Sequence, residues 1–211
     1  MDQYDLLQTL GKGSFGLVRK ARRKSDGKAL VVKEMDYGLA NDKQKQQIVA
    51  EVNILRELRH PFIVRYYDRI VDKRNTKLYI VMEYCNTDLG QIIKKCKEQG
   101  EYLEESFLWH LLSQVVIALG ACHRRVGKGG HRRPIIHRDL KPDNVFLLED
   151  NTVKLGDFGL AKELAGAGHL AETSVGTPYY MSPELMNEQR YDERTDIWSL
   201  GCLLYEAAAL M

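Results

Sequence analysis

Four polar side chains in residues 137–159 could do chemistry together: Asp139, Lys141, Asn144 and Asp157. The run His137-Arg138-Asp139-Leu140-Lys141-Pro142-Asp143-Asn144 sets an acid, a lysine and an amide at short offsets, and Asp157-Phe158-Gly159 adds a second acid. Asn144 and Asp157 carry hard oxygen atoms of the kind that hold magnesium. Asp139 is a carboxylate able to take a proton from a reacting group. The set suits magnesium–phosphate chemistry.

These groups need a scaffold, and the pattern around them supplies one. Val145-Phe146-Leu147-Leu148, a turn at 149–152 and Val153-Lys154-Leu155 read as a hairpin that brings Asn144 and Asp157 near each other. Residues 106–123 read as a long apolar helix, with Trp109 in the core, His110 at the surface and His123 packed or capping. Asp88 is placed to cap a helix over 89–97. Toward the N-terminus, Gly11-Lys12-Gly13-Ser14-Phe15-Gly16 joins two strand-like runs, a turn that can lay backbone N–H groups over phosphates. Residues 29–33 read as a buried strand ending in Lys33, which alone is an ordinary strand-end lysine. Residues 43–59 read as a helix with an apolar stripe of Ile48, Val52, Leu55 and Leu58, Glu51 beside it, and His60-Pro61 as its stop. Runs 63–71 and 77–82 complete a small antiparallel sheet.

Composition narrows the classes. The 211 residues, 44% hydrophobic, can bury one substantial core or two small lobes. A net charge of +2 argues against a dedicated nucleic-acid binder. Cys85, Cys96, Cys122 and Cys202 lack paired metal-ligand spacing and read as free thiols. There is no basic-then-apolar leader after Met1, and no run of about 18 apolar residues, so no membrane span is expected. Repeats and coiled-coil heptads are absent, which leaves dimerisation open.

The order H-R-D-L-K-P-x-N then D-F-G, after a glycine turn that continues as a strand, resembles the eukaryotic protein kinases. Y-I-V-M-E-Y-C at 79–85, G-D-F-G-L-A-K at 156–162 and T-S-V-G-T-P-Y-Y-M-S-P-E at 173–184 resemble the NIMA-related serine/threonine kinases. The resemblance implies an α+β, two-lobe fold: a sheet lobe with one key helix over 1–82, a hinge over 83–88 and a mainly helical lobe over 89–211. It implies transfer of the γ-phosphoryl group of ATP to protein Ser/Thr hydroxyls, with Mg2+ (or Mn2+) as cofactor. By the same resemblance Gly11, Gly13 and Gly16 cover the phosphates, Lys33 grips them and Glu51 holds Lys33. Leu10, Val18 and Val31 enclose the adenine, Met82 is the gatekeeper, and backbone groups of Glu83 and Cys85 bond the adenine edge. Asp139 takes or orients the hydroxyl proton, Lys141 steadies the transferring group, and Asn144 and Asp157 hold the metal. His137 anchors the loop, Phe158 is a switch, Thr177 bonds near Asp139 and Lys141, and Asp196 bonds the backbone around Arg138.

The family pattern further implies activation by phosphorylation at Thr173, with Ser174 the runner-up and Arg138 gathering the phosphate. An activating kinase or autophosphorylation in trans would supply it. Cell-cycle or microtubule work is implied, in cytoplasm or nucleus and at the cytoskeleton or spindle pole. There are departures. Where relatives read E-Y-C-x-G-G-D-L, residues 83–89 read E-Y-C-N-T-D-L, one residue shorter, which puts Asp88's contact with the ribose in question. Residues 124–134 form a basic, glycine-containing insertion, read as a flexible surface loop that is neutral or docks an acidic partner. Helix 196–211 lacks the helices that follow it in the family. An exposed apolar patch and a buried Glu184 without its arginine are expected, and the alternative function is an ATP-binding interaction or decoy protein.

Overall fold

The computed structural model describes residues 1–13, 16–38, 42–127, 130–164 and 176–211, without side chains at 42–44, 47 and 51. Its contacts divide it into two units, Met1–Arg59 with Val64–Tyr84, and His60–Ile63 with Cys85–Met211.

The first unit is built on alternation. Strands β1 (Tyr4–Gly13), β2 (Gly16–Arg23) and β3 (Ala29–Asp36) are followed by helix α1 (Asp42–Glu57), then β4 (Tyr66–Asp72) and β5 (Lys77–Glu83). They form one antiparallel sheet in the order β1-β2-β3-β5-β4. Every second residue faces one side, where Tyr4, Ala21, Leu30, Val32, Tyr79 and Val81 make a buried cluster. The predicted stripe of α1 is buried at Ile48, Val52, Leu55 and Leu58. The helix proper ends at Glu57, earlier than expected, and a last turn carries Leu58, whose N–H donates to Ile54 O.

The second unit carries the loops. Short strand β6 (Thr87–Asp88) leads into α2 (Leu89–Gln99), whose N-terminus Asp88 caps by accepting from Gln91 N at 2.9 Å. Helix α3 (Glu105–His123) runs through the unit, then come β7 (Ile135–Ile136), the hairpin β8 (Val145–Leu147) and β9 (Val153–Leu155), β10 (Lys162–Glu163), α4 (Pro183–Met186) and α5 (Arg194–Ala209). α3 is long and apolar enough by composition to cross a membrane. In the structure it buries Leu111, Val115, Ala118, Leu119 and Cys122, and its Gln114 Oε1 accepts Val153 N at 2.8 Å.

Several expectations are corrected. Residues 63–65 do not start β4. Ile63 instead bridges Leu155, whose N–H donates to Phe62 O at 2.9 Å, so Phe62 and Ile63 join the second unit while Val64 and Arg65 stay with the first. Trp109 is 62% exposed and donates to Glu105 Oε1, because it shares the outer face of α3 with Val116. The basic insertion is a small tethered hairpin: Val126 pairs with Arg132, and Arg133 N donates to Arg125 O at 2.9 Å. Lys128 and Gly129 lie outside the described residues. Glu184 is half-buried rather than buried. The outer face of α5, with Ile197, Trp198 and Tyr205, is exposed as expected and lines an open groove of about 1200 Å³.

Candidate active site

In the second unit β7 delivers the chain into the loop 137–144, and the loop is fixed from below. Asp196, fully buried near the start of α5, accepts His137 N on Oδ2 and Arg138 N on Oδ1, both at 2.9 Å. His123 Nε2 bonds the same Oδ2 at 2.7 Å. His137 is buried and bonds Gly156 O through Nε2 at 2.9 Å, while Asp139 N donates to its Nδ1 at 3.3 Å. Those two bonds require the proton on Nε2. A ring used at both nitrogens is an anchor, not a base.

Above this anchor three of the four polar groups, Asp139, Lys141 and Asn144, meet around Thr177. Thr177 Oγ1 donates to Asp139 Oδ1 at 2.7 Å, and Lys141 Nζ donates to that hydroxyl at 2.9 Å. Lys141 Nζ lies 3.2 Å from Asp139 Oδ2. Asn144 Nδ2 donates to Asp139 O at 2.7 Å and Oδ2 at 3.0 Å. The result is a closed ring of hydrogen bonds around one carboxylate. Gly176 makes room for it: at φ 131°, a Cβ there would stand 2.5 Å from Arg138 O.

The β8–β9 hairpin does what its sequence implied. Val145 pairs with Leu155, and Gly156 N donates to Asn144 O at 3.0 Å, so Asp157 follows directly beside Asn144. Asp157 takes a left-handed φ of 52°, and its Oδ1 accepts Gly159 N at 3.4 Å. Phe158 is fully buried, edge-on to His137 at 4.8 Å. With Nδ2 of Asn144 spent on Asp139, its Oδ1 is the atom suited to a cation. Asn144 and Asp157 therefore fit a hard divalent ion that takes its other ligands from phosphate.

In the first unit strand register gathers the candidate nucleotide residues on one face. Gly11 pairs with Val18, Val18 with Lys33, and Val31 with Met82. Lys33 is buried. Leu10 is 45% exposed at the mouth of the turn, and Gly13 opposes Gly16. A Cβ at Gly16 would collide with Glu34 O at 1.8 Å, so packing alone demands that glycine. At Gly11 nothing among the described residues, its chain neighbours aside, lies within 4 Å of such a Cβ. That open side fits close approach of a phosphate group. Glu83 N donates to Arg65 O at 2.8 Å; Cys85 begins the second unit. Ser14 and Phe15 lie outside the described residues, as do Thr173 and Ser174 and the side chain of Glu51.

Arg138, at φ 68°, donates from Nε to Leu160 O and from Nη1 to Tyr191 Oη at 2.9 Å. Tyr191 and His123 are members of this network that sequence reading did not single out for it. Their partners lie 53 and 73 residues away, and no local pattern marks such pairs. The shortened connection after Cys85 is absorbed by strand pairing: Asn86 N donates to Leu147 O, and Thr87 and Asp88 pair with β8. Asp88 is occupied as the cap of α2.

A model of the protein kinase domain matches residues 4–210. The whole chain is 57% identical to "Serine/threonine-protein kinase Nek2" of Homo sapiens and covers 47% of that protein. It is 54% identical to "Probable serine/threonine-protein kinase nek2" of Dictyostelium discoideum, covering 49%. Over 97% of its length it is 48% identical to "G2-specific protein kinase nimA" of Emericella nidulans, covering 32%. The chain thus spans half the length of these relatives or less. Its likeness runs to the NIMA-related group, and with the family model matched almost end to end it belongs to the protein kinase domain family.

Proposed function

We propose that this chain carries out ATP-dependent phosphorylation of protein serine and threonine hydroxyls, as its NIMA-related resemblance implies. The observation that supports this most is the ring joining Asp139, Lys141, Asn144 and Thr177. Oδ2 of Asp139 is engaged by Asn144 and Lys141, whereas Oδ1 accepts Thr177 alone and keeps a further lone pair, so the carboxylate is aimed while still able to accept a substrate hydroxyl proton. That hydroxyl oxygen attacks the γ-phosphorus in line as the bond to the leaving ADP breaks, and Lys141 steadies the transferring oxygens. Asn144 and Asp157 would hold Mg2+, or Mn2+ in its place, which when bound would supply neutralisation of the charge building on the phosphates. Gly11, Gly13 and Gly16 offer backbone N–H groups, Lys33 grips the phosphates and Glu51 orients Lys33. Leu10, Val18, Val31 and Met82 supply the apolar adenine contacts, with the Glu83 and Cys85 backbone as hydrogen-bond partners.

Regulation follows from Arg138. Phosphate on Thr173, or on Ser174, would draw its guanidinium into a charge-assisted contact, with Phe158 as the switch element. A separate kinase or a second copy acting in trans adds that phosphate. The relatives' printed names support a cell-cycle role. The family resemblance alone suggests that it is exercised in cytoplasm or nucleus and at the cytoskeleton or spindle pole.

The test uses the purified chain with magnesium and ATP, and follows phosphate transfer to a generic Ser/Thr peptide and to Thr173. Transfer that disappears in Asp157→Ala, and turnover that drops in Thr173→Ala, is the expected result. A folded protein that binds ATP and transfers nothing contradicts the proposal.

A further inference from the structure

The run Arg19-Lys20-Ala21-Arg22-Arg23-Lys24 puts cations on both faces of β2, and the sheet answers them unequally. At the far end of β2 three cations converge on one ring. The Nζ of Lys28 lies 5.0 Å from the centroid of Tyr67, the guanidinium carbon of Arg65 5.2 Å, and that of Arg23 5.8 Å. Tyr67 is half-buried against the cluster of Tyr4, Ala21, Leu30, Val32, Tyr79 and Val81, so the ring is held in place. Lys28 and Arg65 are exposed. On the same strand, Lys20 stands over Tyr84 at 4.1 Å.

The cationic tips of the trio are met unequally by carboxylates. Among the described residues Asp26 is the carboxylate in ion-pair contact with it, bound to Arg23 in a bidentate pair. Asp26 Oδ1 also accepts the backbone N–H of Lys28, Glu83 Oε2 that of Arg65 and Asp68 Oδ1 that of Arg69, so these acids lower the local charge without touching the side-chain tips of Lys28 and Arg65. Three positive charges crowded within 6 Å of one ring centroid repel one another, and the ring quadrupole offsets only part of that. An incoming anion relieves the remainder.

We propose that Lys28, Arg65 and Arg23, arrayed on Tyr67, form a docking surface for an acidic segment of a partner protein. Glutamate or aspartate side chains suit it in charge and in size. Guanidinium groups offer forked donors to carboxylates, and the ring fixes where those donors stand. A nucleic-acid strand suits it less. The Tyr67 ring is attended by cations rather than left open for a base to stack on. The surface shares no residue with those assigned to phosphoryl transfer, although Arg65 bonds Glu83 of the candidate adenine edge, and its role is to recruit a partner.

The experiment measures binding of a fluorescent poly-glutamate peptide to this chain by anisotropy at low and at physiological salt. The double variant Lys28→Glu/Arg65→Glu should bind about ten-fold more weakly or worse, with affinity in the parent falling as salt rises. Lys94→Glu/Lys95→Glu, the same charge change on the exposed face of α2, should stay within about two-fold. If the charge reversal disturbs folding, Lys28→Gln/Arg65→Gln carries the same prediction with a smaller loss. Tyr67→Leu, which keeps an apolar side chain there, should weaken binding by disordering the cations. Equal losses in the two double variants would reduce the patch to bulk charge and overturn the proposal. So would a single-stranded oligonucleotide that binds more tightly than the peptide.

Discussion

Two carboxylates in the second unit hold the chain in place in opposite ways. Asp196 is fully buried, and its donors are two backbone N–H groups and the ring of His123. Glu163 is 31% exposed, and its donors are the long side chains of Arg125 at 2.8 Å and Arg133 at 3.2 Å. Backbone donors are already fixed by the fold, so Asp196 orders nothing extra when it binds them, and little water competes. Arginine tips must be immobilised and stay in contact with solvent and salt. The loop around Asp139 is therefore rigidly seated, while the basic hairpin is attached to β10 by contacts that conditions can loosen.

Breaking each site should expose that difference. Asp196→Ala leaves three donors without an acceptor in a dry interior, and should cost about 3–5 kcal/mol in denaturant unfolding and abolish phosphoryl transfer. A variant as stable as the parent would show the anchor to be dispensable. Thr177→Val spares the anchor but opens the ring around Asp139. With a hydrogen bond to a charged group worth about 1.5–3 kcal/mol, turnover should fall on the order of ten- to a hundred-fold, with a smaller loss of stability than Asp196→Ala shows. Glu163→Gln should cost about 1 kcal/mol or less, and the difference from parent should shrink in high salt. A salt-independent loss would mean the hairpin is seated as firmly as the loop.

A smaller effect is expected at His60, which precedes the segment bridging to Leu155. Burial, with Lys154 nearby, lowers its pKa below the ordinary 6.5, and its Nδ1 accepts Phe62 N. A lowered folded value means that the neutral ring stabilises the fold above pH 6.5. That contribution is lost as pH falls through the folded value. The melting temperature should drop modestly on acidification below pH 6.5, and less so in His60→Asn. An identical pH profile in that variant would remove His60 from the account.

The same contrast explains what could be read in the chain beforehand. Asp139, Lys141, Asn144 and Asp157 were legible because their roles follow from residue type and short spacing, and the hairpin that unites them is local. The Asp88 cap and α3 were legible for the same reason. The hairpin at 125–133 was not, since the acids that answer its arginines lie 38 and 61 residues away in contacts such as Arg125–Glu163 and Arg132–Glu193. Ile63 and Val64 form an apolar run that suits a strand start or a bridge to β9 equally well, and only tertiary contact decides. Trp109 shows that an aromatic in an apolar helix need not face inward when the stripe beside it is already filled.

The most direct test of the central claim is single-turnover phosphoryl transfer from saturating magnesium–ATP to a Ser/Thr peptide, in parent and Asp139→Asn. Asparagine keeps the shape and can stay within the ring, but cannot take the proton. The account predicts transfer slowed by about 10²–10⁴-fold, with ATP affinity and unfolding midpoint unchanged. Transfer within about two-fold of the parent would mean that Asp139 is not the group on which this chemistry depends.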